Sequence, residues 1–99
     1  MIVISDTSSI SNLFQIGLIE LLKDLYGEII ITPAVARELT VIPEQEIFLN
    51  TVSWIKVQTP QNQKLIVQLL EELHLGESES IALAIELNAD YLVLDEYKG

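Results

Sequence analysis

The chain has 99 residues, 49% of them apolar, which is enough for one domain with a core of its own. Lys and Arg total 5 against 15 Asp and Glu, a formal charge of −10; this argues against broad binding to a phosphate backbone and leaves either a solvated acidic surface or carboxylates gathered around a divalent cation. The absence of cysteine excludes disulfides and thiolate metal sites, no apolar run reaches the ~18 residues of a membrane span, and the N-terminus lacks the basic and apolar regions of a secretory signal, so a soluble, cytoplasmic protein is expected.

The chain opens on Ile2-Val3-Ile4-Ser5-Asp6-Thr7-Ser8-Ser9. Residues 2–5 read as a strand covered on both faces, which stops abruptly at an aspartate. Ser8 or Ser9 is placed to cap a helix running through Ser11-Asn12-Leu13-Phe14, and Gly17 breaks it. Leu18, Ile19, Leu21, Leu22, Leu25 and Tyr26 recur at helical spacing, so 18–26 is an amphipathic helix with Gly27 at its C-terminal stop.

Ile29-Ile30-Ile31 is a second buried strand. Thr32-Pro33 then signals a helix start, with the threonine as N-cap and the proline in the first helical position. That helix carries Val35, Arg37, Glu38 and Leu39 and is expected to end at Pro43. A short helix over 44–51 and a strand over Trp54-Ile55-Lys56-Val57 follow.

Thr59-Pro60 repeats the cap-plus-proline signal, and Leu65, Ile66, Leu69, Leu70 and Leu73 line one face of a helix to about residue 74. Gly76 punctuates the chain. Residues 77–88 form a helix that is apolar almost all round and is therefore expected to be largely buried. Asn88-Ala89-Asp90 turns into a last strand, 91–94, whose ending Leu94-Asp95-Glu96 repeats the opening pattern.

Strands alternating with helices predict a three-layer α/β/α fold around a central parallel sheet of about four strands, one domain over 1–99. In such a sheet ligands bind at the carboxyl ends of the strands. Asp6 and Asp95 stand there. Because the helices run back, their first turns lie at the same edge, which adds Glu38, Glu77 and Glu79. Like charges that close together repel. Mg²⁺ or Mn²⁺ would relieve them, since both prefer oxygen ligands, and a metal-bound water can attack phosphorus.

Each residue also has a plainer reading. Asp6 could simply cap the following helix, Glu77 and Glu79 suit a helix N-terminus through its dipole, and Glu38 and Glu96 read singly as solvated surface. His74, the sole histidine, falls at a helix end and is assigned to the dipole there. Trp54, Phe14 and the leucine stripe of 65–73 are assigned to packing.

Four segments together resemble PIN-domain proteins: Ile4-Ser5-Asp6-Thr7-Ser8, the run from Ile31 to Leu39 containing Glu38, Leu75-Gly76-Glu77-Ser78-Glu79-Ser80-Ile81-Ala82-Leu83-Ala84, and Leu92-Val93-Leu94-Asp95-Glu96. The third is similar to the Gly-Glu-x-Glu-Ala-Ile motif of a branch related to VapC-type toxins. The resemblance implies a Mg²⁺- or Mn²⁺-dependent ribonuclease, often a toxin held by a cognate antitoxin and often a homodimer. It implies Asp6, Glu38, Glu79 and Asp95 as the catalytic acids. Glu77 joins Asp6, Glu79 and Asp95 as a candidate metal ligand. Thr7, Ser8 and Glu96 support, the hydroxyls by orienting Asp6 or a metal-bound water.

The related proteins continue past the last acid with a helix and a fifth strand, whereas this chain stops at Tyr97-Lys98-Gly99. Its last strand is thus expected to be an open sheet edge. The short C-terminus and the charge of −10 motivate a second reading, a PIN-like binding or regulatory module with little or no hydrolysis. A phosphoacceptor receiver-like domain ranks low, because the third strand ends Val57-Gln58-Thr59 with no aspartate.

Overall fold

A computed structural model describes residues 1–95. The elements run β1 (Val3–Ser5), α1 (Thr7–Gln15), α2 (Glu20–Tyr26), β2 (Ile29–Ile31), α3 (Pro33–Leu39), α4 (Pro43–Thr51), β3 (Ile55–Val57), α5 (Gln63–Leu69), α6 (Leu75–Leu87) and β4 (Tyr91–Val93). The four strands pair in parallel in the order β3-β2-β1-β4. Helices cover the sheet on both sides, the three-layer α/β/α arrangement expected from the alternation of elements.

Alternation along each short strand divides the core. Val3, Ile29, Ile31 and Ile55 join one buried cluster with Ile10 of α1, Leu22 of α2 and Val35 and Leu39 of α3. Trp54 belongs to it, and Phe14 and Phe48 pack against it. Their rings form a chain, Phe14 to Phe48 at 5.3 Å and Phe48 to Trp54 at 6.0 Å between centroids. Ile4, Ile66, Ala82 and Leu83 are buried outside that cluster, with α6 packed on β1 and β4 and α5 packed on α6. Each fully buried Ile or Leu contributes about 1.5–3 kcal/mol of transfer free energy.

Several local signals act as the residues suggest. Thr32 caps α3, its hydroxyl accepting from Val35 N at 3.3 Å, and Pro33 sits at the helix start. Gly27 stops α2 at φ 80°. Asn88 ends α6 in the left-handed region at φ 51°, which asparagine tolerates better than most residues. Ile2 N then donates to Asp90 Oδ2 at 2.6 Å and Asp90 N to Ile2 O at 2.8 Å, locking the start of β4 to the start of β1.

Other signals act differently. Asp6, not Ser8 or Ser9, caps α1. α3 ends at Leu39, and Pro43 opens α4 instead of closing α3, because Ile42 before it is held extended. Thr59-Pro60 starts no helix. Pro60 is fully buried between β3 and α5, and the backbone N–H groups of Gln61 and Asn62 donate to Glu86 Oε1 at 2.8 and 3.1 Å. Asn62 is the cap of α5, which stops at Leu69, short of residue 74.

α6 begins at Leu75, so Gly76 lies inside the helix instead of interrupting the chain. The helix is also less buried than its composition predicts. Ala82 and Leu83 are sealed, yet Ile85 is 63% exposed. α6 forms the outer layer of its side of the sheet, so only the faces toward the sheet, α3 and α5 are covered. In the leucine stripe of α5, Ile66 is buried while Leu70 remains exposed for the same reason. β4 lies at the edge of the sheet, with Tyr91 and Leu94 exposed.

Candidate active site

The chain lays down β1, β2 and β3 in one direction and then crosses back to place β4 on the other side of β1. The reversal leaves a crevice beyond the carboxyl ends of β1 and β4, the place where open parallel sheets bind ligands. Asp6 follows β1 there and Asp95 lies just beyond β4. The crevice is a pocket of about 260 Å³ lined by Asp6, Thr7, Ser8, Glu38, His74, Glu77 and Asp95.

Asp6 is 6% exposed. Its N–H donates to Val93 O at 3.1 Å, extending the ladder between β1 and β4 by one bond. Its Oδ1 accepts from Ser9 N at 2.9 Å, capping α1, and its Oδ2 accepts from Asp95 N at 3.2 Å. Two backbone donors and a helix N-terminus offset the hydration this carboxylate gives up. The bond to Asp95 N also fixes the chain leaving β4 against the chain leaving β1.

Asp95 is exposed, and its Oδ2 accepts from the side-chain amide of Asn12 on α1. No local pattern in the sequence marks Asn12 as a site residue. It lies six residues beyond Asp6, where α1 passes the end of β4, and only the pairing of β4 with β1 brings it to Asp95.

Glu38 reaches the pocket from the second turn of α3, where its Oε1 accepts from Thr7 Oγ1 at 2.6 Å. Thr7 therefore orients Glu38. Ser8 lines the pocket with an exposed side chain. Glu96 lies outside the described residues.

The two glutamates of α6 part company. Residues two apart on a helix point about 200° apart. Glu77 lines the pocket, whereas Glu79 Oε1 accepts from Ala34 N at 3.0 Å, at the start of α3. Glu79 thus holds α6 to α3 at the same sheet edge without lining the pocket. Sequence matching favours Glu79 as a ligand; the geometry brings Glu77 to the other acids.

His74 stands where α6 begins, as its N-cap residue, and lines the pocket. α5 stops at Leu69, so residue 74 is not at the C-terminal end of a helix, where the dipole would favour a histidine. A helix N-terminus offers a cationic side chain no favourable dipole interaction; His74 instead shares the pocket lining with Asp6, Glu38, Glu77 and Asp95. The signal available beforehand was its position two residues before the Gly76-Glu77 step.

The donor set is almost entirely carboxylate and hydroxyl oxygen, which suits a small hard cation such as Mg²⁺ or Mn²⁺. Asp6, Glu38, Glu77 and Asp95 are the residues that would hold it. Among the described residues no three acidic or histidine side chains already stand together as ligands of one ion.

Residues 2–99 match a family model whose description is PIN domain. No curated protein and no solved structure matches the chain.

Proposed function

The chain belongs to the PIN-domain family, and from that premise we propose that it is a divalent-metal-dependent ribonuclease, using Mg²⁺ or Mn²⁺, of the kind that serves as the toxin of a toxin–antitoxin pair. The observation that carries this reading is the convergence of Asp6, Glu38, Glu77 and Asp95 on one pocket at the reversal of the sheet. A bound cation would neutralise the carboxylates, acidify a water and steady charge developing on a phosphate. Asp6, fixed by two backbone N–H groups, supplies the rigid wall of the site. Glu38 and Asp95 are each oriented by a neighbouring side chain, Thr7 and Asn12.

The substrate in this reading is RNA, whose backbone reaches an acidic pocket only through the cation. With 5 Lys and Arg in the whole chain, affinity for RNA comes largely from the metal or from a partner's charge. The same proposal includes a cytoplasmic protein, a homodimer and an antitoxin protein as regulator. No helix among the described residues is long and apolar enough to cross a membrane.

The test is Mn²⁺ titration and Mg²⁺-dependent RNA cleavage by the chain and by an Asp6→Asn/Asp95→Asn variant. Saturable Mn²⁺ binding and cleavage, both lost in the variant, are expected. Identical, negligible binding by both proteins ends the metal-site reading. A second reading, a PIN-like binding or regulatory module without hydrolysis, is favoured by the scarcity of cations, 5 Lys and Arg against 15 Asp and Glu. Cleavage that disappears in the double variant eliminates it.

A further inference from the structure

Gly76 occupies the second position of α6. Its backbone conformation does not call for glycine, since the positive-φ glycines among the described residues are Gly17 and Gly27. Helix propensity argues for alanine instead, because glycine weakens a helix. The reason for a residue without a side chain lies across the interface with α3. A Cβ at residue 76 would overlap Glu38 Oε1, with Glu38 Cδ 3.1 Å and Oε2 3.3 Å away. Gly76 is itself buried, so the carboxylate rests directly on the backbone of α6.

The same Oε1 atom is the acceptor for Thr7 Oγ1 at 2.6 Å. Thr7 is the first residue of α1, and the cap made by Asp6 holds that helix start in place. Glu38 is thus held between a fixed hydroxyl and a bare stretch of helix. It is a flexible, exposed side chain, so an added methyl group at residue 76 would move the carboxylate and leave the backbone where it is.

We infer that Gly76 is a positioning residue of the acidic pocket: its missing side chain leaves the space in which the Glu38 carboxylate is held against Thr7. For its effect on metal binding the inference rests on the nuclease reading; for the placement of Glu38 it stands alone.

The experiment compares the full chain with Gly76→Ala, Glu38→Ala and the double substitution, by Mn²⁺ titration, thermal unfolding and a crystal structure of Gly76→Ala. Groups that hold a metal ligand in place typically matter 10–100-fold in affinity. Gly76→Ala is expected to weaken Mn²⁺ binding about tenfold, within that range. Its Tm holds or rises, as alanine in a helix requires. In the Glu38→Ala background the same substitution adds no further loss, because the group it displaces is gone. The crystal structure shows Glu38 turned away from Thr7.

A Gly76→Ala structure that keeps the contact between Glu38 and Thr7 overturns the inference. So do losses from the two substitutions that multiply. Should the unsubstituted chain bind no Mn²⁺, the nuclease reading fails by itself. The position of Glu38 in the Gly76→Ala structure then decides the positioning claim alone, displaced in its favour and unmoved against it.

Discussion

Asp6 serves both the fold and the pocket. One oxygen caps α1 and the other takes the N–H of Asp95, yet a carboxylate has about four acceptor sites, so two remain for the pocket. Substitutions separate the two uses. Asp6→Ala loses the cap and the tie to Asp95, and a cost of about 1–2 kcal/mol in urea unfolding is expected. Asp6→Asn keeps the cap through its carbonyl oxygen but presents N–H to N–H at Asp95, so a loss of about 1 kcal/mol or less is expected. Mn²⁺ titration should nonetheless find binding abolished in both. The glutamates of α6 separate similarly. Glu79→Ala leaves Ala34 N without its acceptor and is expected to destabilise by about 0.5–1.5 kcal/mol with Mn²⁺ affinity unchanged. Glu77→Gln is expected to show the reverse, weakened Mn²⁺ binding with an unchanged unfolding midpoint. A loss of metal affinity in Glu79→Ala alone would return the ligand role to residue 79.

At the scale of the element, α6 does most to shape the pocket. Its first turn brings His74, Gly76 and Glu77 to the sheet edge, and its middle packs Ala82 and Leu83 under β1 and β4. Small residues let it lie close. Ser78 is fully buried and its hydroxyl has no hydrogen-bond partner among the described residues, whereas Ser80 donates to Gly76 O at 2.8 Å. An unpaired buried hydroxyl is a net cost. Ser78→Ala is therefore expected to be neutral or stabilising by up to about 1 kcal/mol, read from the urea midpoint, with the pocket unchanged. The starts of α1 and α5 differ from their sequence signals for one reason: a cap is made by whichever acceptor the surrounding chain leaves at the helix end. Asp6 is set there by β1, and Asn62 by the grip of Glu86 on the preceding backbone.

Across the whole molecule the acidic balance acts as a load that a cation can lighten. Ligand bound only by the folded state stabilises by RT ln(1 + [L]/Kd), about 2.7 kcal/mol at one hundred times Kd. Thermal unfolding in Mn²⁺ at that excess should raise Tm by several degrees. The Asp6→Asn/Asp95→Asn variant controls for diffuse screening of the −10 charge and should show no comparable rise. Equal rises in both proteins would assign the effect to screening and remove the site from the explanation.

The sequence by itself determined the alternation of strands and helices and the parallel sheet, because apolar periodicity is a local property, and its four motif segments carried the resemblance to the family. It also placed Asp6 and Asp95 at the carboxyl ends of strands, since an acid cannot continue a run buried on both faces. What only the tertiary structure decided is adjacency. The return of β4 to the side of β1 joins Asp6 to the backbone of Asp95 and brings Asn12 to its carboxylate. The packing of α3 on α6 sends Glu79 to a helix end, turns Glu77 to the pocket and lays Glu38 on Gly76. Those contacts join residues dozens of positions apart, and no local pattern records which face of one helix will meet which end of another.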